Sequence, residues 1–276
     1  TLSYTTMPVE PGGLMAAIIG GGVATSTYYT RILTPLAALL AGAFAASLVG
    51  WGGWTWAVPG AMFLGGSAAV SKIRASKKDT HSAAFESAGP RDAWQVLANG
   101  GIAWIGLGLD ALGVPAPGAV WYAMGMGAFA TAAADTWATE LGTLSDRPPR
   151  SLRTGRPMPP GTSGAVSLPG TLGAVVGAAT VAGGAWIGGG PGLPSDVHWS
   201  IGIIACGMSG MLVDSIAGAT VQARYRHPTT GTLIEHPPTP DAQPVRGWRG
   251  VHNHVVNLIG TSAGAALAVG WILVTT

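Results

Sequence analysis

The sequence predicts an all-α fold, a polytopic membrane helix bundle of about eight transmembrane helices, and three observations carry that expectation. Of its 276 residues 48% are apolar and only 9% charged, against about 25% charged in an ordinary soluble domain. The apolar residues gather into eight runs close to the ~20 residues that cross a hydrocarbon core. All 14 Lys and Arg residues fall in alternate connections between those runs. The chain therefore reads as a single integral membrane domain over residues 1–276. Its one cysteine, Cys206, excludes an intramolecular disulfide framework.

The runs, in order, are 11–29, 33–50, 54–71, 93–110, 118–141, 164–190, 197–222 and 252–274. No basic n-region precedes the first, so it is read as a span and not as a cleavable leader. The second and third are separated only by the short turn Trp51-Gly52-Gly53-Trp54. Arg91 and Asp92 open the fourth, where Asp92 suits a helix cap and Gln95 and Asn99 share one face. The fifth ends in DTWATELG, Asp135 to Gly142, and the sixth follows Gly161-Thr162-Ser163-Gly164. The seventh carries Asp214 with Gly210 and Gly218 a turn away on either side, and Asn253 and Asn257 begin the eighth. Small residues, among them Gly20, Gly125, Gly127, Gly173 and Gly177, permit close approach of helices that gain nothing by leaving lipid for each other.

The basic connections hold Arg31, then Lys72 to Arg91, then Arg147 to Arg156, then Arg224 to Arg249. The alternate set holds Trp51, Trp54, Trp56, Asp110, Trp121, Asp196 and Trp199, an interfacial aromatic girdle with acids. By the positive-inside rule the basic loops are cytoplasmic and both termini lie on the other side.

Carboxylates at membrane depth are expensive, at least ~2.5 kcal/mol each, and mark functional sites by default. Asp135 and Asp214 suit Mg²⁺, which takes one or two carboxylates together with phosphate oxygens and water. The competing reading is that both acids pair with arginine or backbone to fix helix packing. The arginine-rich 143–163 loop suits phosphate, and exposed N–H groups and hydroxyls at a helix start would add to an anion site. The histidines at 227, 236, 252 and 254 match no zinc spacing, and no Walker-type loop or GxSxG occurs.

Four segments carry a resemblance. RDAWQVLANGG (Arg91 to Gly101), DTWATELG, TGRPMPPGTSGAVS (Thr154 to Ser167) and DSIAGATVQ (Asp214 to Gln222) resemble, in order, the signatures of an integral membrane family. That family contains transmembrane protein 19 and the plant and cyanobacterial phytyl-phosphate kinase of tocopherol synthesis. The sequence departs from the family pattern at His254 in HNHVVN, where the pattern has an acid. More remotely, two acidic helices around a Ser/Thr-Gly loop are similar to the CTP-dependent membrane cytidylyltransferases and the polyprenol kinases.

The resemblance implies a membrane kinase of phytol salvage that phosphorylates an isoprenoid monophosphate to the diphosphate, with a nucleoside triphosphate, CTP favoured, as donor. On this expectation Asp135 and Asp214 hold Mg²⁺, and Lys72, Arg74, Arg91 and Arg153 clamp phosphates. Thr162, Ser163 and Gly164 supply hydroxyl and N–H donors, while Asn99, Gln222, Asn253 and Asn257 orient the substrates. Expected partners are the prenyl monophosphate, the nucleotide, the bilayer and a second copy in a homodimer, with no nucleic acid. The alternative is a transporter or lipid scramblase, in which intramembrane acids and glycine-rich helices also occur.

Overall fold

Eight helices account for most of the described chain. The computed structural model describes residues 12–77, 89–117, 119–145, 147–160, 162, 164–190 and 197–275, with the side chains of 73–77 outside it. The expectations placed on Arg74 and Ser163 lie outside the described residues. The helices are α1 (Gly13–Tyr29), α2 (Pro35–Gly50), α3 (Gly53–Lys77), α4 (Ala93–Ala111), α5 (Val120–Gly142), α6 (Leu168–Ile187), α7 (Val197–Thr220) and α8 (Asn253–Thr275). Each matches one predicted run. Three of them, α6, α7 and α8, are long and apolar enough to cross a membrane, and α2 is a shorter apolar helix.

Local chemistry sets several of the boundaries. Asp92 caps α4 by accepting from the Gln95 N–H at 2.9 Å, and Ser167 caps α6 by accepting from the Gly170 N–H at 3.2 Å, each satisfying an otherwise orphaned donor. Pro35 occupies the first turn of α2, where its missing N–H does no harm. The turn between α2 and α3 closes tightly because Gly53 adopts φ +58°, a left-handed conformation glycine takes without strain.

Helix α5 is the axle of the bundle, packing against α3, α4, α6, α7 and α8. Its middle is a run of fully buried small residues, Ala128, Ala130, Ala132, Ala133 and Ala134, interrupted by the buried Phe129. Phe129 in turn packs against Phe63 of α3 and Phe44 of α2, with ring centroids 5.3 and 5.8 Å away. Glycines make the closest approaches. A Cβ at Gly127 would stand 2.5 Å from the Gly264 carbonyl oxygen of α8, and one at Gly177 of α6 would stand 2.7 Å from the Ala133 carbonyl oxygen. At such separations dispersion between backbones replaces the hydrophobic effect as the cohesive term.

The basic connections gather at one end. The turn after α1 bridges to the segment before α4, where the Thr34 N–H donates to the Arg91 carbonyl. The loop before α6 carries a two-stranded ladder, β1 (Arg150–Ser151) with β2 (Ala165–Val166), and the loop after α7 carries another, β3 (Tyr225–Arg226) with β4 (Leu233–Ile234). Neither ladder is legible in the hydropathy. At the opposite end the aromatic girdle is only partly interfacial. Trp51 and Trp54 are exposed, but Trp56 is 1% exposed and Trp199 is also buried. Trp56 turns inward because its indole N–H finds Asp110 Oδ2 at 3.0 Å, and its ring meets Tyr122 edge-on.

Candidate functional site

The two acids meet at the basic end. Asp135 is partly buried near the end of α5 and Asp214, 7% exposed, lies near the end of α7. Each lies within reach of the other's charge. They converge because α5, α7 and α8 are drawn together by small residues one to two turns away. Thr131 of α5 fills the space beside Gly210 of α7 and Gly264 of α8, while Gly260 of α8 admits the Asp214 side chain. The glycine at 210 thus serves close backbone contact, and the glycine at 218 contributes its carbonyl to a second group described below.

Asn257 sits on Asp214. With its amide nitrogen facing the carboxylate it donates to Asp214 Oδ2 at 3.3 Å and to the Asn253 carbonyl at 3.0 Å. Turned the other way it donates to Asn99 Oδ1 at 3.4 Å. The first assignment is the chemically sound one, since it places a donor and not an oxygen against the carboxylate. Asn257 thus ties α8 to Asp214, and Asn99 of α4 lies beside the same amide. Thr261, a turn beyond Asn257, ties the same two helices by donating to the Ala98 carbonyl at 3.0 Å.

Arg91 supplies positive charge from the α4 side. Its guanidinium reaches Asp135 electrostatically, donates to Ser71 Oγ at 3.2 Å and stands 3.9 Å from Glu140 Oε1. Ser71 donates to the same carboxylate oxygen at 2.9 Å. Glu140, 7% exposed, was not predicted as a site residue because it lies on a different face of α5 from Asp135. Its signal was there nonetheless: a second acid in an apolar helix needs a partner. Lys72 is exposed at the end of α3. One turn before Asn257 on α8, His254 Nε2 stands 3.8 Å from Asp92 Oδ2, so an acid lies beside the position where the family pattern carries one.

The second group of cations lies at the C-terminal end of α7. Arg246 donates through Nη2 to the Gly218 carbonyl at 3.1 Å, one turn from Asp214. Arg224, 6% exposed, pairs through Nη1 with Glu235 Oε1 at 2.9 Å. The backbones of 224 and 246 are held side by side by an antiparallel bridge. Burial, then the charges of Arg224 and Arg153, push the Arg246 guanidinium below its usual pKa. Gln222, fully buried, donates to Glu235 Oε1 at 3.3 Å, so its side chain belongs to this group and not to the acid pair.

The predicted Thr162 to Gly164 anion site does not sit at a helix start. Strand β2 intervenes, and Ser167 caps α6. The Thr162 hydroxyl donates to the Pro159 carbonyl at 2.7 Å, and Gly164, at φ +77°, is buried against Ala219 of α7. Gly164 thus seats the arginine-bearing loop on the end of α7, while Thr162 closes a turn within that loop. An open apolar groove of about 390 Å³ runs between α5 and α6, lined by Trp137, Leu141, Leu172 and Val176 among others. Trp137 and Leu141 project from the face of α5 opposite Asp135, given 100° per residue, so the groove is separate from the acid pair. Among the described residues no three His, Cys, Asp or Glu side chains converge as metal ligands. A cation at the pair would take two carboxylates and complete its shell with neutral oxygens.

A helix bundle with paired acids near one end, beneath loops rich in arginine, defines an integral membrane protein with a polar site built into its bundle. The chain matches the family described as Integral membrane protein DUF92 over residues 13–265 and belongs to it. The family includes transmembrane protein 19 and phytyl-phosphate kinase-type members. The chain is 30% identical over 216 residues to Protein PGR of Arabidopsis thaliana, covering 70% of this chain and 73% of that one. It is also 30% identical over 247 residues to an uncharacterized membrane protein of Synechocystis sp., covering 87% and 83%. No solved structure matches it.

Proposed function

We propose that the protein is a membrane kinase that transfers the terminal phosphoryl group of a nucleoside triphosphate, CTP favoured, to an isoprenoid monophosphate, giving the diphosphate. The observation that carries this reading is that Asp135 and Asp214 lie within reach of each other's charge, with the Arg91 guanidinium bearing on Asp135 and Arg246 anchored on the Gly218 carbonyl one turn from Asp214. Two carboxylates within reach of each other's charge repel when both are ionised, and a cation between or beside them relieves that repulsion. Their oxygens form a hard-oxygen donor set that fits Mg²⁺, with water and phosphate oxygens to complete its shell. Bound there, Mg²⁺ would neutralise charge on the phosphate oxygens.

The chain's own residues do the remaining work. The acceptor phosphate is already an anion, so its attacking oxygen needs no base. A new bond forms between that oxygen and the terminal phosphorus as the bond from that phosphorus to the bridging oxygen breaks, and the nucleoside diphosphate leaves. Catalysis then rests on charge neutralisation and in-line placement. Arg91 is suited to hold the acceptor phosphate and Arg153 the donor, with Asn257 fixing Asp214 by its hydrogen bond. The prenyl chain extends sideways into the bilayer, and the basic end faces the cytoplasm with both termini opposite. A transporter would need no arginine-bearing loops gathered beside both acids.

The test is turnover by the purified protein in detergent with phytyl or geranylgeranyl phosphate, Mg²⁺ and each nucleotide in turn. A diphosphate product is expected. No diphosphate with any nucleotide, together with substrate flux in nucleotide-free proteoliposomes, would replace the kinase with the transporter.

A further inference from the structure

We infer that Arg224, with Arg246 and Arg153, forms a polyphosphate-binding subsite, and that Arg224 grips two oxygens of one phosphate group through its side-on fork. Arg224 is 6% exposed, and among the described residues its guanidinium pairs with Glu235, on Nη1. Its Nε and Nη2 are buried and make no hydrogen bond. Those two donors form one edge of the guanidinium plane, the edge that matches a pair of phosphate or carboxylate oxygens. Leaving two charged donors buried without acceptors is a standing penalty, which an anion seated on that edge removes.

The neighbours point to the same occupant. Arg246 Nε is likewise buried and without a hydrogen-bond partner, while Nη2 is anchored on the Gly218 carbonyl. The charges of Arg224 and Arg153 both bear on Arg246, and the carboxylate seen among these groups is that of Glu235. Among the described residues three guanidiniums gather around the Glu235 carboxylate, an excess of positive charge that suits a multiply charged phosphate chain better than a single carboxylate. Gln222, whose Nε2 donates to the same Glu235 carboxylate, has its buried Oε1 also without a hydrogen-bond partner and would accept from a phosphate-bound water. Identifying the anion with the donor nucleotide's phosphates rests on the kinase reading; the subsite itself does not. The anchoring of Arg246 one turn from Asp214 places this subsite beside the acid pair, with Arg91 left for the acceptor.

The experiment measures equilibrium binding to the full chain in nanodiscs of neutral lipid. Three probes are used: inorganic triphosphate, phytyl monophosphate, and phosphatidate doped into the disc. In Arg224→Gln, triphosphate binding is expected to weaken about 10–100-fold, the scale of lost charge-assisted hydrogen bonds. Arg224→Lys, which keeps the charge but not the fork, should recover only part of it. Phytyl monophosphate binding should be unchanged in both. Glu235→Gln removes the competing carboxylate and should tighten triphosphate binding, which keeps the test decisive if Arg224→Gln fails to fold. Equal triphosphate affinity in the wild type, Arg224→Gln and Glu235→Gln would overturn the subsite. Selective loss of phytyl monophosphate or phosphatidate binding would overturn its assignment to a polyphosphate. Arg224-dependent triphosphate binding in a protein that makes no diphosphate would sink the kinase and leave the subsite standing.

Discussion

Replacing Gly264 by alanine tests how the acid-bearing helices are held together. A Cβ at this position would collide with Thr131 Oγ1 and stand 2.9 Å from the Gly127 carbonyl oxygen. The Thr131 hydroxyl cannot simply swing aside, because it donates to that same carbonyl at 2.9 Å. Alanine favours a helix over glycine by about 1 kcal/mol, but overpacking a tight interface costs about 1–3 kcal/mol, and here one obstacle is backbone. The net expectation for Gly264→Ala is destabilisation, with α8 pushed from α5 and Asn257 drawn off Asp214. Gly183→Ala is the control, since a Cβ there meets nothing within 4 Å. It should be neutral or slightly stabilising. Thermal unfolding in detergent, followed by loss of the monodisperse peak, should rank Gly264→Ala below wild type and Gly183→Ala at or above it. Adding Thr131→Ala should restore part of the loss, with a coupling of about 0.5–3 kcal/mol. If both glycine variants melt with the wild type, the packing account of the site is wrong.

Two further perturbations separate the ends of the bundle. Trp56→Phe deletes the indole donor to Asp110 and should lower stability by about 1–3 kcal/mol, measured by the same thermal assay, while Trp54→Phe at an exposed position should change little. Arg91→Gln removes a half-exposed guanidinium that bears on Asp135 and Glu140; it should leave the melting temperature nearly unchanged and raise the KM for prenyl monophosphate about tenfold.

The helices were legible because lipid-crossing length and the segregation of charge are properties of composition along the chain. Asp135 and Asp214 stand out in the sequence because a carboxylate in an apolar run is expensive and calls for either a cation or a pairing partner. Helical periodicity places Glu140 on a different face from Asp135, so the sequence does not join them; Arg91, arriving just before α4, bears on both acids. Arg224 and Arg246 looked like two more loop cations. Only the backbone bridge between them, spanning a Pro-rich loop, makes them neighbours, and nothing in hydropathy encodes that bridge. The apolar run beginning at 164 predicts a helix start just after Gly161 to Gly164; the short ladder β1–β2 instead carries the chain to the Ser167 cap.

The central claim is that α5 and α7 each contribute one carboxylate to a single cation site. Mn²⁺, a spectroscopic stand-in for Mg²⁺, titrated into the purified protein and followed by electron paramagnetic resonance, tests it most directly. One bound ion per chain is expected in the wild type, lost in Asp135→Asn and in Asp214→Asn alike while both variants stay folded. Undiminished Mn²⁺ binding in either variant would contradict the account.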